Sequence, residues 1–217
     1  MTKRLYMETS ELSGSAQVLR CEADESGHFV ELDATLFHPQ GGGQPSDIGV
    51  LQSDNGVSAR VLQVKDVNGV ILHWLDAPIA AGPVSLQVDP AVRHQHAMLH
   101  SIGHVIGNIG QRHGWKPVKA HHWPGECRIE FMPEASNRDL TADEIEDALA
   151  TLIQAQLAAQ VHVDDKGLRW VGFGELAPWP CGGTHLASLA EVSGQVSAAV
   201  KLKKNKLVVK YDIESKE

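Results

Sequence analysis

Two short segments far apart in the chain constrain its fold more than any other feature: His100-Ser-Ile-Gly-His104 and Cys181-Gly-Gly-Thr-His185. Together they carry three imidazoles and one thiol, a donor set that zinc favours. If they serve one ion, folding must bring a helical stretch and a distant loop to the same point. Helical residues four apart differ by about 40° of rotation, so His100 and His104 project from one face. His96 lies one turn earlier on that face, which makes His96–His100 a rival pair. Pro180 before the cysteine, and Gly182 and Gly183 after it, disfavour a helix there. A tight loop remains, able to point both of its side chains at one ion. The chain holds 12 histidines, so chance alone yields roughly 0.7 histidine pairs at this spacing, and a Cys-x-x-x-His roughly 0.2 times. Residue chemistry therefore leaves two readings open: one shared metal site, or two unrelated elements.

Bulk properties narrow the class. A net charge of −8 argues against general, charge-driven binding of nucleic acid. Lys201, Lys203, Lys204 and Lys206 are a local exception that fits either a grip on a nucleic-acid backbone or a solvated turn. No apolar run approaches the length of a membrane span, and Met1–Glu8 has no signal-peptide core. Three cysteines make no disulfide framework. The expectation is a soluble cytoplasmic protein with no membrane partner, in which Cys21 and Cys127 are small buried residues.

The texture of the chain predicts two domains, 1–88 and 89–217. In the first, strands are expected at Ala16–Ala23 and His28–Leu36, at Val57–Val67 and Val70–Leu75 across the turn Asn68-Gly69, and at Pro83–Asp89. Several short strands with turns between them suggest a small β-barrel, interrupted by the glycine-rich loop Phe37–Gly49. In the second, Asp89-Pro90 opens a helix with apolar spacing at Met98, Ile102, Val105, Ile106 and Ile109, ending near Gly114. A strand follows near Arg128–Phe131. The capping box Thr141-Ala-Asp-Glu144 opens another helix, and strands are expected at Leu168–Phe173, Val196–Leu202 and Leu207–Ile213. The fold class is α+β.

Three pieces occur in the order and separations of one known family: Phe37-His-Pro-Gln-Gly-Gly-Gly-Gln-Pro-Ser-Asp47, the stretch from Arg93 to His104, and Pro180-Cys-Gly-Gly-Thr-His185. The combination resembles the alanyl-tRNA editing family, which comprises free-standing AlaX proteins and the editing domain of alanyl-tRNA synthetase. The resemblance implies a small N-terminal β-barrel followed by a two-layer α/β editing domain holding Zn2+. It carries His100, His104, Cys181 and His185 over as metal ligands and catalytic residues, and leaves His96 outside the set. Gln44, with Gly42 and Gly43 in the glycine loop, falls near the substrate, as does Ser101, which stands where the family often has threonine. Leu186 and residues 187–194 depart from the family's usual segment, and no roles are transferred there. The implied activity is hydrolysis, without ATP, of the ester joining a wrong amino acid (serine, and sometimes glycine) to alanine tRNA.

Two other functions compete with this zinc-dependent deacylase. One is a non-catalytic tRNA- or protein-binding module whose zinc only holds the fold. The other is a zinc hydrolase of small esters with no RNA partner. Zinc itself has three candidate roles: structural, activating a water toward a pKa of about 7, or orienting the substrate. Ser101 occupies the place of the glutamate in a HExxH protease site, and neither a Gly-x-Ser-x-Gly elbow nor a Walker loop is present. His121 and His122 are candidates to assist a reaction or contact phosphate, with partly exposed loop residues the expected reading. Trp115, Trp123, Trp170 and Trp179 are expected to pack. The sequence does not reveal the oligomeric state.

Overall fold

The computed structural model describes residues 1–214, which form two compact units, Met1–Gln95 and a second from His96 to the end of the described residues. The fold is mixed α+β, with two α-helices and a closed six-stranded barrel among the described residues.

The first unit contains β1 (Lys3–Arg4), β2 (Ser13–Asp24), β3 (Gly27–Leu32), β4 (Ala34–Thr35), β5 (Gly49–Ser53), β6 (Ser58–Val67), β7 (Val70–Leu75) and β8 (Gly82–Val88). Strands β2-β3-β7-β6-β5-β8 close into the barrel, and β1 pairs in parallel with β4. Strict alternation drives closure. On β8, Val84, Leu86 and Val88 are buried while Pro83, Ser85 and Gln87 are exposed, the period-2 pattern of a half-buried strand. Val30, Leu32, Phe37, Leu51, Val64 and Ile71 fill the core. The expected hairpin forms between β6 and β7, with Asn68 at φ 55° and Gly69 at φ 87°, as a type I′ turn requires. Strand β5 was not expected. It follows directly on the glycine-rich segment, and its pairing with β6 and β8 completes the barrel.

His73 on β7 is fully buried, with a ring nitrogen 2.8 Å from Thr35 Oγ1. Burial lowers its pKa from 6.5 to about 4, opposed in part by hydrogen bonding to the Val30 backbone. Because the folded pKa lies below the unfolded value, the unfolded chain takes up the proton first. The stabilisation is complete above pH 6.5 and is lost as the pH falls towards 4, by on the order of 3 kcal/mol for this one ring. Urea midpoints measured from pH 7 to pH 4.5 should fall more steeply in the natural chain than in His73→Gln. Parallel curves would exclude His73 as a source of acid sensitivity.

Helix α1 (Pro90–Arg112) is capped by Asp89, whose Oδ1 accepts from the Ala91 and Val92 amides at 2.9 and 3.0 Å. Beyond it lie β9 (Trp115–His121), β10 (Arg128–Pro133), α2 (Ala142–Gln154), β11 (Ala159–Val163), β12 (Arg169–Phe173), β13 (Trp179–Pro180), β14 (Gln195–Lys203) and β15 (Lys206–Glu214). They form two antiparallel sheets, β14-β15-β10-β9 and β11-β12-β13. The capping box of α2 is complete: the Glu144 amide donates to Thr141 Oγ1, and Glu144 Oε2 accepts from the Thr141 amide. Ile102, Val105, Ile106 and Ile109 of α1 share a core with Ile145 and Leu149 of α2, with Phe131 and Val209 of one sheet and with Phe173 of the other.

Three glycines of α1 lie where neighbours lean on the helix backbone. A Cβ at Gly103 would strike the His122 ring and stand 2.8 Å from Tyr211 Oη; at Gly107 it would meet the Trp179 indole at 3.3 Å; at Gly110 it would strike the Phe131 ring.

Candidate metal centre

Helix α1 presents His100 and His104 on one face, as their spacing predicts. The loop after β13 presents Cys181 and His185. One ligand-type atom from each of the four lies within 4.8 Å of every other. His185 Nε2 is 3.2 Å from His104 Nε2, and Cys181 Sγ is 3.4 Å from His100 Nε2 and 3.8 Å from His185 Nε2. These separations match a tetrahedral zinc shell. Zn–N bonds of about 2.0–2.1 Å and a Zn–S bond of about 2.3 Å put nitrogens about 3.3 Å apart and nitrogen and sulfur about 3.6 Å apart. His96 is buried and stands outside the cluster.

The protein's own hydrogen bonds anchor the loop. The Cys181 amide donates to the Arg169 carbonyl at 2.9 Å. The Arg169 guanidinium returns two hydrogen bonds, to the carbonyls of Cys181 at 2.8 Å and Gly183 at 3.1 Å. At the far end, the Leu186 amide donates to Ser101 Oγ at 3.1 Å, and that hydroxyl donates to the Ala97 carbonyl at 2.7 Å. Loop and helix are thus tied at the residue after His185 and the residue after His100.

Electrostatics favour the neutral imidazoles a ligand set needs, while burial opposes the thiolate. Metal ligands must offer a lone pair, so imidazoles must be neutral and the thiol ionised. Burial lowers the His104 pKa to about 4, opposed by hydrogen bonding to the Val171 backbone and reinforced by the Arg169 charge. Burial, then the charges of His104 and Arg169, holds His185 well below its ordinary value. Burial pushes the Cys181 thiol up, while the Gly183 N–H, 3.4 Å from Sγ, and the Arg169 charge pull it down. A bound cation adds to the side of the thiolate.

The other expected site residues divide between the units. Ser101 is fully buried beside the cluster, its proton committed to Ala97. A hydroxyl has two acceptor sites, and the Leu186 amide uses one of them. Gly42, Gly43 and Gln44 lie in the first unit. Gly41 and Gln44 exchange backbone hydrogen bonds of 2.9 and 3.1 Å across a turn with φ 58° at Gly42 and 82° at Gly43, and Gln44 is buried. The base of that loop is held by Asp47, which accepts from the His38 amide at 2.6 Å and from the Arg93 guanidinium.

Three residues at the centre escaped the sequence reading. Arg169 gave no signal, because its role appears only once β12 lies beside the loop. His122 was expected to be partly exposed; it is buried and stacked on His100, with ring centroids 4.3 Å apart and planes 24° apart. Tyr211, also buried, hydrogen-bonds it at 2.6 Å. Burial, then the charges of His104 and His121, lowers the His122 pKa to about 3. Its neighbour His121 is less buried, stacked on Trp123 and 3.4 Å from Glu126. Trp179 is half-buried, its ring 6.3 Å from that of His104. The lysines at 201, 203, 204 and 206 are exposed around the β14–β15 turn.

No protein-family model matches the chain. Individual relatives do. The alanyl-tRNA editing protein AlaX-M of Methanosarcina barkeri is 29% identical, aligned over 76% of this chain and 80% of that protein. The AlaX-M of Methanosarcina acetivorans is 26% identical over 89% of this chain and 91% of that one. The alanine–tRNA ligase of Natronomonas pharaonis is 37% identical over 117 residues, which is 51% of this chain but only 12% of the ligase. The motif resemblance is thus matched by similarity over most of the chain to proteins named for alanyl-tRNA editing. Among the described residues, no helix is long and apolar enough to cross a membrane.

Proposed function

We propose that this chain, a relative of the AlaX-M alanyl-tRNA editing proteins, is a zinc-dependent deacylase that hydrolyses the ester of alanine tRNA charged with the wrong amino acid, serine or glycine. The observation that carries the reading is the convergence of His100, His104, Cys181 and His185, whose donor atoms all lie within 4.8 Å of one another. When bound, zinc supplies a Lewis acid for the ester group. The chain's own residues do the remainder. Neutral imidazoles at 104 and 185 offer their lone pairs, and Arg169 fixes the loop that carries Cys181 and His185. Hydrolysis of an ester requires no ATP, and the reaction belongs in the cytoplasm, where tRNA is charged.

Selectivity falls to Gln44, Ser101 and the Gly42-Gly43 turn. Serine differs from alanine by one hydroxyl. An apolar pocket discriminates such pairs weakly, whereas a site built to hydrogen-bond the hydroxyl rejects its absence by about 10⁴–10⁵. Gln44 and Ser101 are each a polar candidate for the contact with that hydroxyl. In Gln44→Ala, the ratio of seryl to alanyl cleavage is expected to fall about tenfold or more; an unchanged ratio would remove Gln44 from the selective contact.

The defining experiment measures deacylation of seryl-, glycyl- and alanyl-tRNA made on alanine tRNA, with and without a chelator, beside a free serine ester. Metal-dependent cleavage of the seryl and glycyl esters, with alanyl-tRNA spared, is expected. Absence of turnover in a folded, zinc-loaded protein would overturn the reading in favour of a binding module. Equal cleavage of the free ester would favour a small-ester hydrolase.

A further inference from the structure

His122 stacks on His100 and Tyr211 hydrogen-bonds His122, and no step described above uses either. Their hydrogen bonds have a definite direction. Tyr211 Oη lies 2.9 Å from the Leu99 carbonyl, which can only accept, so the single phenolic proton points there. The same oxygen lies 2.6 Å from His122 Nδ1 and must accept from it. His122 is therefore the Nδ1–H tautomer, and its ring is held flat against His100 at 4.3 Å. The chain of contacts closes on itself: it leaves α1 at Leu99, passes through Tyr211 and His122, and returns to α1 at the next residue, His100. Gly103, one turn further on, leaves the space the two side chains occupy.

We propose that His122 and Tyr211 form a positioning clamp that fixes the ring of His100 for metal binding. The inference rests on the reading of the four side chains as ligands. An imidazole on a helix turns about two side-chain bonds, and a ligand free to turn loses orientation entropy when it binds. Stacking on a ring that is itself tied to the backbone beside His100 removes that freedom in advance. Partners that orient a ligand commonly change metal affinity by about 10–100-fold when lost.

The test is zinc affinity, measured by competition with a chromophoric chelator, alongside the thermal midpoint of the metal-free protein. Tyr211→Phe keeps the buried ring and loses only the hydroxyl; His122→Ala loses both hydrogen bond and stack. Zinc affinity, measured well below the metal-free midpoint that loss of two buried hydrogen bonds lowers, is expected to fall about tenfold in Tyr211→Phe and further in His122→Ala. His122→Phe, which restores a flat ring without the hydrogen bond, should recover part of the loss. Natural affinity in both Tyr211→Phe and His122→Ala would overturn the clamp alone. Loss of affinity only in step with lost metal-free stability would also overturn it, by reducing the pair to core packing. Failure of the natural chain to bind zinc would instead remove the ligand reading beneath it.

Discussion

Cys181→Ala is expected to purify with little zinc and to lose about 10³-fold or more of its deacylase rate, the largest functional effect foreseen for a single side chain. Sulfur is the one donor of the set that becomes anionic on binding a cation, and it sits 3.4 and 3.8 Å from two of the imidazole nitrogens. Removing it leaves three neutral imidazoles around a divalent cation. Lewis-acid stabilisation amounts to several kcal/mol, and each 1.36 kcal/mol is about tenfold in rate, so loss of the ion alone accounts for the drop. Metal content by elemental analysis and turnover of seryl-tRNA should fall together. Cys21→Ala, a thiol lost from the barrel unit, is the control and should change neither. Full zinc content with full turnover in Cys181→Ala would remove the thiol from the centre.

The largest loss of stability is expected from Arg93→Ala. The Arg93 guanidinium and the Asp47 carboxylate are buried together, with Nη2 2.5 Å from Oδ2 and Nε 3.0 Å from both carboxylate oxygens, and a further hydrogen bond from Nη2 to the Leu36 carbonyl at 2.6 Å. Replacing such a pair with apolar groups is often neutral, but removing one partner strands a buried charge and costs about 3–5 kcal/mol. The side chain of Asp47 is fully buried, so water cannot take the place of the arginine. The urea midpoint should fall by more than about 1 M. Arg20, whose ion pairs with Glu22 and Glu31 are surface contacts, provides the contrast: Arg20→Ala should leave the midpoint nearly unchanged. A comparably small shift in Arg93→Ala would show that the buried pair is relieved by rearrangement.

Local signals carried much of the fold. The Asn68-Gly69 hairpin, the Asp89 cap and the Thr141 capping box are each a few adjacent residues whose chemistry dictates a turn or a helix start, and all three form. The strands that escaped notice lack such signals. Strand β5 is short and continues a segment dominated by glycine and proline; β9 contains Pro117; β11 has an alternating pattern but is largely exposed. Their existence depends on partners elsewhere. The centre divides in the same way. His100, His104, Cys181 and His185 stand in recognisable spacings. His122 does not, because its burial is decided by Tyr211, distant in sequence, and by the gap at Gly103.

The glycines of α1 have one more consequence. Each costs a helix interior about 0.8–1.0 kcal/mol relative to alanine, so a helix with such residues at 103, 107 and 110 owes its persistence to the rings that lean on it. Detached from them, the segment would fray and its histidine pair would lose its shared orientation. The shared orientation of His100 and His104 is therefore a product of the finished sheets, and any cation the four side chains hold meets a receptacle built by packing.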